Sequence, residues 1–267
     1  MAQGIRFLHN FSVGQDSVDN PGVYVLSATS EAVGDFGKEN LVTAPLREIW
    51  RSTDAASQSI VIQANNTAEN IDTFAILNHN LSDAAVVTLK ANTVNNFSSP
   101  PFSVTLAWRE KHIIYTEDLG DNYEFFKITI VDPANACGFF EIGRIVAGTS
   151  VVMLDNEDII DDFSVDGKDL SYQMSTEGFF RASNEKVKVD RLSVRFDKLA
   201  TVGDAIDNYT NLTDLVEYVG TTLPFLTILD PDDPSFYVLW GQLEDLPTKN
   251  FTLNRYVSMG LTIQEVY

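Results

Sequence analysis

The chain has 267 residues, 44% of them hydrophobic, which is enough apolar material for one large domain or two ordinary ones; two is the working number. With 18 basic against 38 acidic residues the formal charge is -20, which excludes a broad cationic surface for phosphates and DNA binding as the main activity. A single cysteine, Cys137, excludes an internal disulfide framework and a multi-cysteine zinc site, and its place in CGFFEI reads as a buried, inert thiol.

The opening MAQGIRFLHNFSV lacks a charged stretch followed by a long apolar one, so it does not read as a secretory signal. No run approaches the roughly 20 apolar residues of a membrane helix, and no membrane anchor is expected. Runs rich in β-branched and aromatic residues follow at near-regular intervals: SIVIQA (59–64), TFAILN (73–78), AVVTLKA (85–91), FSVTLAW (102–108), HIIYTE (112–117), EFFKITIV (124–131) and FFEIGRIVAG (139–148). Separated by Asn, Asp, Gly, Ser and Pro, they predict an antiparallel sandwich or jelly roll.

After Gly148 the texture changes to long alternating strands, with turns expected at Asp166-Gly167 and near Ser183-Asn184. Carboxylates crowd the first of them: Asp155, Glu157, Asp158, Asp161, Asp162, Asp166 and Asp169. Lys186, Lys188, Arg191 and Arg195 dominate the next. The segment 200–222 predicts the one helix, since Val202, Ile206, Tyr209, Leu212, Leu215, Val216 and Val219 recur at three and four and Gly220 ends the pattern. Strands PFLTILD, FYVLWGQLED and FTLNRYVSMGLTIQEVY complete the chain. The expected fold is therefore mainly all-β, with units at 1–149 and 150–267.

Three motifs invite chemistry. His79 lies in Asn78-His79-Asn80-Leu81, but the other histidines, His9 and His112, stand at no ligand spacing from it, so a strand-ending turn is expected. Asp162-Phe-Ser-Val-Asp166-Gly167 opens like a calcium loop, yet the twelfth position is Gln173 where a bidentate Glu belongs. The acidic run could hold the paired acids of a glycosidase, but that chemistry needs two carboxyls in different environments. A solvated, mutually repelling strand face is the simpler reading. No catalytic, cofactor or metal site is expected, and the chain reads as no enzyme. Trp50, Trp108 and Trp240 each adjoin a strand and read as packing residues.

Trp50-Arg51-Ser52, Asn78-His79-Asn80-Leu81 and Ile142-Gly143-Arg144, in that order, resemble the galactose-binding-like (discoidin-type) β-sandwich of tailed-bacteriophage tail-tip proteins. The resemblance covers roughly residues 22–149. The remainder is similar in layout to the tail-tube-like domain of phage tube and distal-tail proteins. It implies a structural virion protein that forms a homo-oligomeric ring, usually hexameric, in the distal tail or baseplate. The ring would link the tail tube protein to the hub proteins and pass DNA without binding it specifically. Channel-lining candidates are then Asp155, Glu157, Asp158, Asp161 and Asp162. The rival reading is a carbohydrate-binding module or adhesin for a host glycan, with Trp50, Asn78, Asn80 and Trp108 as its contacts.

Overall fold

The computed structural model describes residues 5–8, 16–17, 20–21, 23–43, 45–64, 71–153, 160–169, 173–176, 179–182, 188–200, 208–230, 237–253 and 256–266. Two compact units divide the chain: Phe7–Ser150 with Asp233–Val238, and Met1–Arg6 with Val151–Asp232 and Leu239–Tyr267. Unlike a simple cut after residue 149, each unit borrows a short piece from the far side of the boundary.

The first strands in chain order are β1 (Arg6–Leu8), β2 (Asp16–Ser17), β3 (Asn20–Pro21), β4 (Val23–Ala28), β5 (Trp50–Arg51) and β6 (Gln58–Ala64). They are followed by β7 (Thr73–His79), β8 (Val86–Asn92), β9 (Phe102–Leu106), β10 (His112–Tyr115), β11 (Phe125–Val131) and β12 (Glu141–Gly148). A four-stranded sheet, β10-β7-β12-β5, and a five-stranded sheet, β4-β6-β11-β8-β9, enclose one core, which makes this unit a β-sandwich. Period-two alternation turns Ile60, Ile62, Val87, Leu89, Phe126 and Ile128 inward from the five-stranded sheet. They meet Phe74, Ile76, Ile113, Ile142 and Ile145 from the other. β7 and β12 are buried along most of their length on both faces, which is why they read as continuous apolar runs. Each large side chain buried here contributes about 1.5–3 kcal/mol.

The second unit holds β13 (Val151–Val152), β14 (Ile160–Asp169), β15 (Gln173–Thr176), β16 (Phe179–Ala182), β17 (Lys188–Ala200), α1 (Asn208–Val219), β18 (Phe225–Ile228), β19 (Val238–Leu243), β20 (Lys249–Leu253) and β21 (Tyr256–Glu265). Its main sheet runs β13-β1-β18-β19-β21-β17-β14, with β20 also on β21, while β15 and β16 form their own hairpin. Leu192, Val194 and Phe196 of β17 and Met259, Leu261 and Ile263 of β21 are buried. α1 lies against β13 and β17 and buries Leu212, Leu215, Val216 and Val219. Gly220, at φ +51, ends the helix and donates its N–H to the Val216 carbonyl. The described fold is thus mainly β with a single helix.

Several expectations change. Asp166-Gly167 is no turn: β14 runs through it, pairing Asp166 with Arg191 and Gly167 with Asp190, so the hairpin extends beyond the acidic run. A strand points alternate side chains to opposite faces, so Asp162–Asp169 does not form the loop that calcium ligation would need. Gln173 begins β15. Ala200, expected to open the helix, is the last residue of β17, and 201–207 lie outside the described residues. Cys137 is exposed, not buried, because CGFF belongs to the connection before β12 and the strand starts only at Glu141.

Candidate functional site

The three ordered motifs, far apart in sequence, meet at one corner of the four-stranded sheet. β12 sits between β5 and β7, with Ile142 opposite both Trp50 and His79 and Glu141 opposite Arg51. Near the end of β7 Asn78 takes a φ of +53, in the left-handed region that asparagine tolerates, while pairing with β12 continues at Leu77 and His79 on either side. Its carboxamide donates to the Leu46 carbonyl at 2.9 Å and draws that segment over Gly143. A methyl group at Gly143 would lie 2.6 Å from the Leu46 oxygen and 3.0 Å from Asn78 Cβ. Glycine is required there by close approach.

Asn80 continues the sheet with its side chain. It donates to the Phe139 carbonyl at 3.1 Å and accepts the Glu141 N–H at 2.8 Å. Its own carbonyl accepts from the Asn135 carboxamide at 3.2 Å. The connection beyond is tied to Asp132, which accepts the Ser82 N–H at 2.7 Å and the Ser82 hydroxyl at 2.5 Å. Burial alone would raise the Asp132 pKa, but hydrogen bonds from Ser82, Asn135 and Ala134 outweigh it and hold the carboxyl below its ordinary value.

Both histidines here act as acceptors. His79 Nδ1 takes the Leu81 N–H at 3.2 Å, and His112 Nδ1 takes the Asn78 N–H at 3.3 Å. Burial pushes His79 down to about 4 against the opposing pull of the Arg109 carbonyl and Asp132. Burial, then repulsion from His79 and Lys111, pushes His112 down to about 4. At neutral pH both rings are therefore uncharged.

Trp50 is fully buried, and its indole N–H donates to the Ser30 carbonyl at 3.1 Å. The half-buried Trp108 donates in the same way to the Leu81 carbonyl at 3.2 Å. Ser52 Oγ accepts the Phe140 N–H at 2.8 Å and donates to the Asp54 carbonyl at 2.6 Å. Arg144, only 2% exposed, donates to the carbonyls of Val42 and Thr43 at the end of a 3-10 turn, Lys38–Val42. Burial lowers its pKa to about 9, so it stays charged at neutral pH.

The corner also carries a half-exposed cluster. The Arg51 guanidinium lies 3.9 Å from the Phe36 ring centroid and 4.6 Å from that of Phe139, and its Nε donates to Glu141 Oε1 at 2.8 Å. Phe36, Phe139 and Asp132 gave no signal in the sequence as partners of these motifs, because each contact joins segments whose register is set by the sheet.

Of the four glycan-contact candidates, Trp50 has no face open to a sugar, and Asn78, Asn80 and Trp108 spend their side-chain donors on backbone carbonyls. The corner brings all four together as a structural joint. The Ser82 hydroxyl donates to Asp132, a carboxylate held below its ordinary pKa and so a weak base, and each imidazole Nδ1 accepts a backbone N–H instead of the Ser82 proton. Among the described residues no group of three His, Cys, Asp or Glu could hold a metal ion. Of the channel-lining candidates, Asp155, Glu157 and Asp158 lie outside the described residues, and Asp161 and Asp162 lie on β14 with side chains that are likewise outside them.

The second unit has a cleft of about 720 Å³, lined by Ser164, Ser193, Arg195, Asp245, Leu246 and Thr262 among others. Its floor is a cross-strand row, Ser164 opposite Ser193 and Ser193 opposite Thr262.

No protein-family model matches the chain, and no curated protein matches it in sequence. Solved structures do. CBM32-3 from a family 31 glycoside hydrolase of Clostridium perfringens is 19% identical, at a TM-score of 0.37, over 47% of this chain and 90% of that one. The family 32 module of C. perfringens NanJ, solved with galactose, is also 19% identical, at 0.37, over 49% and 93%. Chitosan-binding module 1 of a Paenibacillus sp. IK-5 chitosanase/glucanase is 12% identical, at 0.37, over 53% and 99%.

Proposed function

We propose that the chain is a non-enzymatic structural protein of a tailed-phage virion, a ring-forming distal-tail or baseplate subunit between tail tube and hub. The observation that carries this reading is the hairpin of the second unit. β14 runs ten residues, pairs with β17 and, among the described strands, ends the sheet, so its outer edge offers backbone donors and acceptors to another copy. Ser164, Val165, Asp166 and Gly167 on it are exposed. A head-to-tail contact of this kind closes into a ring when its rotation closes. The phage-type motifs of the sandwich support the same reading. A lumen lined by the acidic run would repel phosphates and let DNA pass.

Mass photometry and negative-stain images of the full chain, alone and mixed with tube and hub proteins, test it. Rings are expected, and Val165→Lys, a charge on the free edge, is expected to abolish them. A monomer under all these conditions overturns the reading.

The second reading is a carbohydrate-binding module, as the three solved modules named above are. Its specific support is the half-exposed Phe36–Arg51–Phe139–Glu141 cluster, where ring edges and an ion pair lie together on the sandwich. A glycan array with hits that Arg51→Ala removes would favour it, and an array without hits would eliminate it.

A further inference from the structure

Beyond the corner and the free edge of β14, the cleft of the second unit is the feature that no function above has used. Its overhang follows from a mismatch in the ladder. The Glu244 N–H donates to the Thr262 carbonyl at 2.9 Å, and pairing resumes with Lys249 opposite Met259. Residues 245–248 therefore face only Gly260 and Leu261, and the surplus chain bows out as one wall of the cleft. Within it Pro247 has no N–H for a ladder, and Leu246 is 64% exposed. The floor is the outer side of the sheet. Ser193 and Thr262 alternate with buried Leu192, Val194, Leu261 and Ile263, and Gly260 follows buried Met259, so all three face away from the core. A Cβ at Gly260 would meet only the Val194 oxygen, at 3.9 Å, so this glycine leaves a hollow instead of relieving a clash. Ser258, only 8% exposed, and Asn250 opposite it add a hydroxyl and a carboxamide. Among the described residues the side chains of Ser193, Thr262, Ser258 and Asn250 make no hydrogen bond to another protein group. Groups that both donate and accept are thus left to a ligand or to solvent.

We propose that this cleft binds a neutral carbohydrate of one or two rings. Its charged residues are one of each sign, Arg195 and Asp245, and Arg195 already lies 3.4 Å from Asp197. Asp166, exposed and on the same side of β14 as Ser164, adds repulsion for any anion. Sugar hydroxyls donate and accept as the serine, threonine and asparagine side chains do, while the C–H face of a ring rests on Gly260 and against Leu246 and Pro247. Among the described residues no aromatic ring lines the cleft, which disfavours a nucleobase. Its volume of about 720 Å³ lies within the roughly 300–1,000 Å³ of small-ligand sites. The inference goes beyond the virion reading and does not depend on it; a neutral ligand leaves the charge of that face unchanged if the face lines a ring.

Saturation-transfer difference NMR of the full chain with lactose, maltose, cellobiose and digalacturonate, together with an array of neutral glycans, tests it. Far-UV circular dichroism shows that each variant folds. Transfer to a neutral disaccharide is expected, with a dissociation constant of about 1 mM because no aromatic platform contributes, and none to digalacturonate. Gly260→Val suits a strand and fills the hollow, and is expected to weaken binding at least ~tenfold. Thr262→Val removes one hydroxyl at nearly constant shape and is expected to weaken it about threefold to tenfold. No binding to any neutral glycan, binding that Gly260→Val leaves intact, or a preference for digalacturonate overturns the proposal. Binding that Arg51→Ala removes and Gly260→Val does not belongs to the sandwich cluster and equally refutes the cleft. Rings without sugar binding refute this site alone, and sugar binding by a chain that never forms rings refutes the virion reading alone.

Discussion

Gly143 has no room for a methyl group, and this one restriction explains the middle of the Ile142-Gly143-Arg144 motif. Gly143→Ala drives Cβ against a backbone oxygen that the Asn78 carboxamide holds in place, and is expected to cost about 1–3 kcal/mol, read as a shift of the urea midpoint with an unchanged slope. The histidines make the same corner sensitive to acid. Their folded pKa values near 4 lie below the unfolded value near 6.5, so the unfolded chain binds more protons between those limits. Stability is therefore full above pH 6.5 and falls as the pH drops toward 4, by up to about 3 kcal/mol per ring. Protonation also turns each Nδ1 from acceptor to donor, against the Leu81 and Asn78 N–H groups. Hydrogen-exchange protection factors, which correct for the slower intrinsic exchange in acid, are expected to fall first in 77–82 as the pH drops from 7 to 4.5, and a uniform fall along the chain would contradict this.

The elements show which parts of the fold could be read from residues alone. β6, β7, β8, β10, β11 and β12 begin or end within two residues of the runs that predicted them, because a half-buried strand must alternate and a doubly buried one must be apolar. The helix was legible from Leu212, Leu215, Val216 and Val219 and from its terminating glycine. Gly220→Ala puts a side chain in the left-handed region and is expected to cost about 1 kcal/mol, and Leu215→Ala about 2–5 kcal/mol, both measurable by thermal unfolding. Asp166-Gly167 misled because a local turn signal loses to a ladder that continues on both sides of it. The corner was half legible: its motifs stood out, but their convergence depends on β12 entering between β5 and β7, a long-range pairing that no local pattern encodes. Asp132 and the stack of Arg51 on Phe36 and Phe139 stayed hidden for that reason.

At the scale of the whole molecule the -20 charge governs behaviour toward polyanions. The chain is expected to pass through a heparin or DNA-cellulose column at 150 mM salt without delay, and retention that falls with added salt would show a cationic site strong enough to overcome that charge. The place of β1 has a different consequence, in time and not in space. Arg6–Leu8 lies between β13 and β18 in the sheet that holds β17 and β21, so it waits for Val151–Val152 on one side and for Phe225–Ile228 on the other. Everything from the sandwich to the end of the helix leaves the ribosome in between. Pairings of such separation are slow to form, so the sandwich is expected to mature while the second sheet is still incomplete, and refolding from denaturant should show two phases, the slower one belonging to that sheet.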